Sequence, residues 1–350
     1  MDESVAAPVQ PPPLQFEQLL FARSPFGLVA TTAIIFVLMF ASFLAIASAE
    51  HVAVFHRAGG IVVLTDAGWP ALVLSLLCTA ALAMQRYARV AEAKDAPAYA
   101  KILTGGMASA LNVTGATPSE ARFGRATLLG AACGLVIAAI VRISESREGH
   151  VIPPVTMIWY ALATVLLMVL FARGAEQTRA GSRAYARVLG AELKIDLLRI
   201  DQLAVLGRSA ARTALIWFVI SAIACLFFIG GDLDWLTIAL IVSCAAMGGG
   251  IFVSIMSRIH KQIRSAKSAE LEHVRCRIEA LRASMHDDSQ AAQRLHGFLA
   301  YEKRISEAPE WPFDQTTLVR VVASAFILAV PWFGQAVAAF VVERLAQFAK

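Results

Sequence analysis

Charge is what this 350-residue chain has least of: Asp, Glu, Lys and Arg make up 16% of it, against roughly 25% in soluble domains. Hydrophobic residues make up 58%, and the mean hydropathy is +0.63. Together these exclude an ordinary soluble globule and a disordered chain. Cysteine is scarce as well. The five are Cys78, Cys133, Cys225, Cys244 and Cys276; none form a CxxC pair, and all but Cys276 fall in apolar runs. A disulfide scaffold, a zinc site and a dithiol redox centre find no support in that pattern. GxGxxG, a phosphate loop, GxSxG and HExxH are also missing, so no cofactor, metal or catalytic residue is indicated. Lysine accounts for only seven of the 31 basic residues. That arginine bias, with abundant alanine, fits a GC-rich bacterium and hence a bacterial inner membrane.

What the chain has instead is long apolar runs. A spanning helix needs about 20 mostly apolar residues, because the hydrocarbon core is ~30 Å thick and a helix rises ~1.5 Å per residue. Seven runs qualify: 27–48, 69–84, 126–141, 156–172, 213–229, 235–256 and 318–342. No ionisable residue lies in the interior of any of them. That argues against a proton-coupled pump, yet it leaves room for a pore lined by hydroxyls, carbonyls or apolar constrictions. The last run holds Pro331 near its middle and is read as a kinked crossing, the alternative being a re-entrant hairpin. Thr117-Pro118-Ser119-Glu120 reads as a capping box with Thr117 as N-cap, ahead of the third span. Pro153 and Pro154 mark the start of the fourth span, and Asp234 and Asp314 stand where they would cap the sixth and seventh.

Basic residues are retained on the cytoplasmic side. With the N-terminus inside, 26 of the 31 fall on that side and five outside, so the N-terminus is expected in the cytoplasm and the C-terminus outside. Residues 1–20 carry Asp2, Glu3, Glu17 and Pro11-Pro12-Pro13 with no basic n-region, so no targeting peptide is read there. The expected fold is an all-α, polytopic membrane protein of about seven transmembrane helices with three cytoplasmic helical arms. A tail (1–26), with a short amphipathic segment at 14–21, precedes the hairpins 27–84, 126–172 and 213–256. The arms are 85–125, 173–212 and 257–317, and 318–350 closes the bundle. Tyr87-Ala88-Arg89-Val90 recurs as Tyr185-Ala186-Arg187-Val188, which chance explains as well as an internal repeat does.

The third arm is expected to continue the sixth span as one long helix. Leu271, Val274, Ile278, Leu281 and Met285 follow steps of 3, 4, 3 and 4, which make one apolar stripe. Such a stripe must be covered, either by the other arms or by a neighbouring copy. In the second arm, residues 193–206 are apolar but too short and too charged to cross, so they lie at the interface or under the bundle. Trp311 and Phe313 suit the inner membrane surface. Gly130 and Gly134 form a small-xxx-small face for close helix packing. Gly248, Gly249 and Gly250 offer tight packing or, alternatively, a hinge. Pro331 is a hinge candidate of the same kind. His51 and His56, with Glu50 and Asp66, match no common metal spacing and read as surface groups.

These readings lead to a non-enzymatic inner-membrane protein acting in assembly or signalling through its cytoplasmic arms. It would act as a homo-oligomer or with a cytoplasmic or membrane protein partner. The alternative is a channel or passive transporter, formed by an oligomer or by a single bundle. The basic arms are expected to meet anionic lipid of the inner leaflet and not nucleic acid.

Overall fold

The computed structural model describes residues 16–58, 61–147, 153–191, 193–228, 235–284 and 289–311. Of the described residues, 86% are helical. After a short helix α1 (Phe16–Arg23) come α2 (Gly27–Ala49), the strands β1 (Phe55–Ala58) and β2 (Ile61–Leu64), and α3 (Gly68–Ile102). Then follow α4 (Gly106–Thr114), α5 (Glu120–Arg147), α6 (Pro154–Ala191), α7 (Ala204–Ala224), α8 (Trp235–Ser284) and α9 (Ser289–Glu307). Six of these, α2, α3, α5, α6, α7 and α8, are long and apolar enough to cross a membrane. The protein is therefore a polytopic, all-α membrane protein; the sheet among the described residues is the antiparallel β1–β2 hairpin, in register Phe55↔Leu64. The seventh apolar run (318–342) with Pro331 lies outside the described residues. So do Asp234, Asp314, Met285 and residues 1–15.

At the end of the bundle that carries the hairpin, three polar contacts tie the helices. Glu50 closes α2 and its carboxylate accepts the Val155 and Thr156 N–H groups at 2.9 and 2.7 Å. These are orphan donors in the first turn of α6, so a side chain from another helix supplies the cap. Trp69 Nε1 donates to the Leu226 carbonyl at 2.7 Å, and Trp159 Nε1 donates to Ser42 Oγ at 3.0 Å. Beneath them lies an aromatic core in which Phe43 meets both Trp159 and Tyr160, with Leu77, Leu167 and Trp217 packed below. The fifth helix begins at Glu120, which puts Ser119 and not Thr117 at its N-cap. The sixth starts at Pro154, where proline's missing N–H costs nothing.

Toward the other end, α3, α6 and α8 run on well past their apolar stretches. There a second core forms from Tyr99, Ile102, Leu203, Leu206, Ile259 and Ile263. Segment 193–206 belongs to it: Leu103 bridges Leu193, and the Lys194 N–H donates to the Ile102 carbonyl at 2.8 Å. This segment thus packs under the bundle. The two Tyr-Ala-Arg-Val copies sit in unlike places, with Tyr87 exposed and Tyr185 buried.

The third arm departs from the one-helix expectation. The eighth helix is unbroken for 50 residues to Ser284, and α9 then returns along it. Val274 and Ile278 are buried against Ile305, with Leu295, Phe298 and Tyr301 alongside. Arg275–Glu302 (2.8 Å) and Lys267–Glu310 (3.7 Å) flank this contact. The return carries the chain back to Trp311, whose ring stacks on His260 at 4.3 Å.

Candidate functional site

Just below the aromatic core, α3 presents Gln85, Arg89, Glu92, Asp95 and Tyr99. Their spacings of 4, 3, 3 and 4 put all five on one helix face. A polar stripe of this kind inside a bundle must find partners or water. Four of the five are engaged by neighbouring helices. Gln85 Nε2 donates to the Leu170 carbonyl of α6 at 3.2 Å. Arg89 Nε and Nη2 donate to the side-chain oxygen of Gln177, also on α6. Asp95 pairs with Arg212 of α7 at 2.5 Å, their side chains 18% and 15% exposed. Tyr99 donates to the Tyr185 hydroxyl, which in turn donates to Ser209 Oγ at 2.7 Å. Glu92 is different: among the described residues it makes no hydrogen bond and no ion pair. The charged groups acting on it are Arg89, Arg212 and Asp95.

Glu92 lines a cavity of ≈ 90 Å³ enclosed mainly by α3, α6, α7 and α8. The wall is layered. On α3 it runs from Ala81 and Met84 to Gln85 and Glu92; on α6 it runs from Leu170 and Phe171 to Gln177, Ser182 and Tyr185. On α7, which runs the opposite way, Ile220, Trp217 and Ile216 give way to Thr213 and Ser209. All three helices change from apolar to polar at one level, where the apolar runs 69–84, 156–172 and 213–229 end. Residues Ile251 and Ile255 of α8 complete the wall. The packed core with Phe43, Leu77 and Trp159 lies on the hairpin side of this space. What results is a half-open, amphiphilic chamber with one uncommitted carboxylate. Hydrogen-bonding groups and aromatic faces are present; the constellation of nucleophile and base that a reaction needs is not among the described lining residues.

The residues singled out from sequence lie elsewhere. Leu271, Val274, Ile278 and Leu281 all fall on α8, far along the chain from the cavity. Val274 is 1% exposed and Ile278 is also buried, both packed against Ile305 of α9, so the middle of the stripe is covered from within its own arm. A Cβ on Gly130 would stand 2.7 Å from the Met168 carbonyl oxygen, and one on Gly134 would stand 2.6 Å from Val165 Cα. These two glycines are where α5 and α6 touch backbone to backbone. A Cβ on Gly248 would stand 3.0 Å from Trp217 Cβ, while one on Gly249 or Gly250 would meet nothing within 4 Å. Among the described residues no three His, Cys, Asp or Glu gather as a metal site, and Glu50 is committed to α6. The Gln85–Tyr99 stripe was open to sequence reasoning as an i, i+4, i+7 polar pattern continuing from the second span. It went unread because charged arms are usually solvated faces. No protein-family model, curated protein or solved structure matches the chain.

Proposed function

We propose that this protein is a single-bundle passive transporter of small organic molecules in a bacterial inner membrane, and that the chamber is its substrate site, open toward the cytoplasm. One observation carries this reading: the chamber lies where three helices change from apolar to polar together, with packed aromatics on one side. Intramembrane substrate sites are built this way, concave and mostly apolar with a few convergent polar groups. The 26-to-five division of basic residues supports a cytoplasmic N-terminus and a cytoplasmic chamber mouth.

The experiment is solute flux into liposomes carrying the full-length protein, with cationic, neutral and anionic organic solutes supplied in parallel. Saturable flux is expected for one class, and Ser182→Trp, which fills the chamber, should reduce it at least tenfold while the protein remains monodisperse. Flux that survives the plug, or no flux for any class, overturns the reading. Assembly or signalling remains as the second reading. It is favoured by α8, which runs unbroken from the membrane into the α8–α9 hairpin and joins the two layers mechanically. Native mass spectrometry of the protein extracted from its own membrane tests it: a fixed-ratio partner or a defined homo-oligomer supports it, and a bare monomer contradicts it.

A further inference from the structure

We infer that the chamber takes an organic ammonium cation with an aromatic or alkyl body, its charged head beside Glu92 and its body among Phe171, Trp217 and Ile220. The inference rests on the reading of the chamber as the substrate site and names the ligand class. Among the residues lining the chamber, Glu92 is the one acidic or basic side chain. The two guanidiniums that act on it are not among the lining residues; Arg212 pairs with Asp95 through Nη2 and Arg89 bonds Gln177. Tyr99 and Tyr185 are occupied with each other and with Ser209. Residues Ile251 and Ile255 of α8 bring no charge to the wall. The chamber therefore offers a ligand one carboxylate that has lost much of its water and, among the described residues, makes no hydrogen bond or ion pair. An entering cation supplies a partner; an anion would meet the carboxylate head-on, and a neutral molecule would leave it unpaired.

The far end of the chamber suits the body of such a ligand. The Phe171 and Trp217 rings lie 5.9 Å apart at 44°, and their faces favour both apolar contact and cationic character. Met84 lies eight positions before Glu92 on α3, about 12 Å of helix. A head at Glu92 thus leaves room for a body of a few carbons and one ring before the packed core is reached. The volume holds on the order of six waters, which a ligand of that size displaces.

The test is calorimetric titration of the full-length protein in lipid nanodiscs with trimethyl(3-phenylpropyl)ammonium. Its uncharged tert-butyl analogue and 3-phenylpropanesulfonate serve as controls. One-to-one binding of the cation, at least tenfold tighter than either control, is expected. Glu92→Gln should weaken the cation at least tenfold and leave the analogue unchanged, whereas Glu92→Asp should keep the preference for the cation. Equal binding of cation and analogue, preference for the sulfonate, or a Glu92→Gln protein that binds as the wild type does would overturn the inference. So would failure of the cation to bind protein that is helical and monodisperse. Cation binding without flux would overturn transport and leave the ligand class standing. Flux of neutral solutes blocked by Ser182→Trp, with no cation binding, would do the reverse.

Discussion

At the scale of single residues, the contacts that join helices are few and separable. Burial works against the charge of Glu50, but hydrogen bonds with Thr156 and Val155 outweigh it and hold the carboxyl below its usual range. A depressed folded value means the cap stabilises the protein above the usual carboxylate range and fades as pH falls through it. Thermal unfolding should therefore separate wild type from Glu50→Gln near pH 6 and bring them together once the pH is well below the usual carboxylate range. Equal separation at both would show that the charge is irrelevant. The Asp95–Arg212 pair is mostly shielded from water, so Asp95→Asn leaves a guanidinium without its counter-charge. A loss on the order of 3 kcal/mol is expected from denaturation in mild detergent. The glycines divide by what surrounds them. Gly134→Ala pushes a methyl into the α6 backbone and should cost about 1–3 kcal/mol. Gly249→Ala meets nothing within 4 Å and should be neutral or mildly stabilising, by up to about 1 kcal/mol. If both behaved alike, the close approach of α5 and α6 would be wrong.

At the scale of elements, the α8–α9 hairpin shows what periodicity reveals and what it leaves open. The 3-4-3-4 pattern from Leu271 marks the buried face of α8, and its interior residues Val274 and Ile278 are indeed inside. The pattern says nothing of what covers that face. The cover carries its own pattern, Leu295, Phe298, Tyr301 and Ile305, but α9 is short and heavily charged outside that stripe, so it reads as solvated chain. Val274→Glu with Ile278→Glu accordingly opens a hairpin within one chain. Hydrogen exchange in α9 should rise at least tenfold while the apolar helices stay protected. Unchanged exchange in α9 would place the stripe's cover elsewhere. The spans themselves were legible because burying apolar helix in lipid needs length and little else. The helix extensions were not, since a helix that leaves the membrane keeps its hydrogen bonds and gives no local signal of where it stops. The β1–β2 hairpin was missed for a related reason. Four-residue strands between spans carry too few side chains to show alternation.

At the scale of the whole molecule, two layers share three continuous helices. The apolar layer is aromatic and closed; the polar layer is knitted by Arg89, Asp95, Tyr99 and their partners, and the chamber lies at the seam. Its polar wall was hidden in sequence because the residues that build it are scattered over 81–255 and meet only once the bundle forms. The charge division gives this arrangement a direction. Alkaline phosphatase fused after residue 58 should be active, and fused after residue 191 inactive; the opposite pattern would invert the molecule and the chamber with it.

The central claim is that the chamber is wet and opens to one side, and side-specific labelling tests it most directly. Ser182→Cys is placed in a chain that keeps only Cys276, an exposed thiol on α8, as the control for the cytoplasmic face. A membrane-impermeant maleimide applied from the cytoplasmic side should modify both positions, and from the outside neither. Modification of Cys276 alone would mean that the chamber is sealed, and modification of residue 182 from the outside would place its mouth on the wrong face; either contradicts the account.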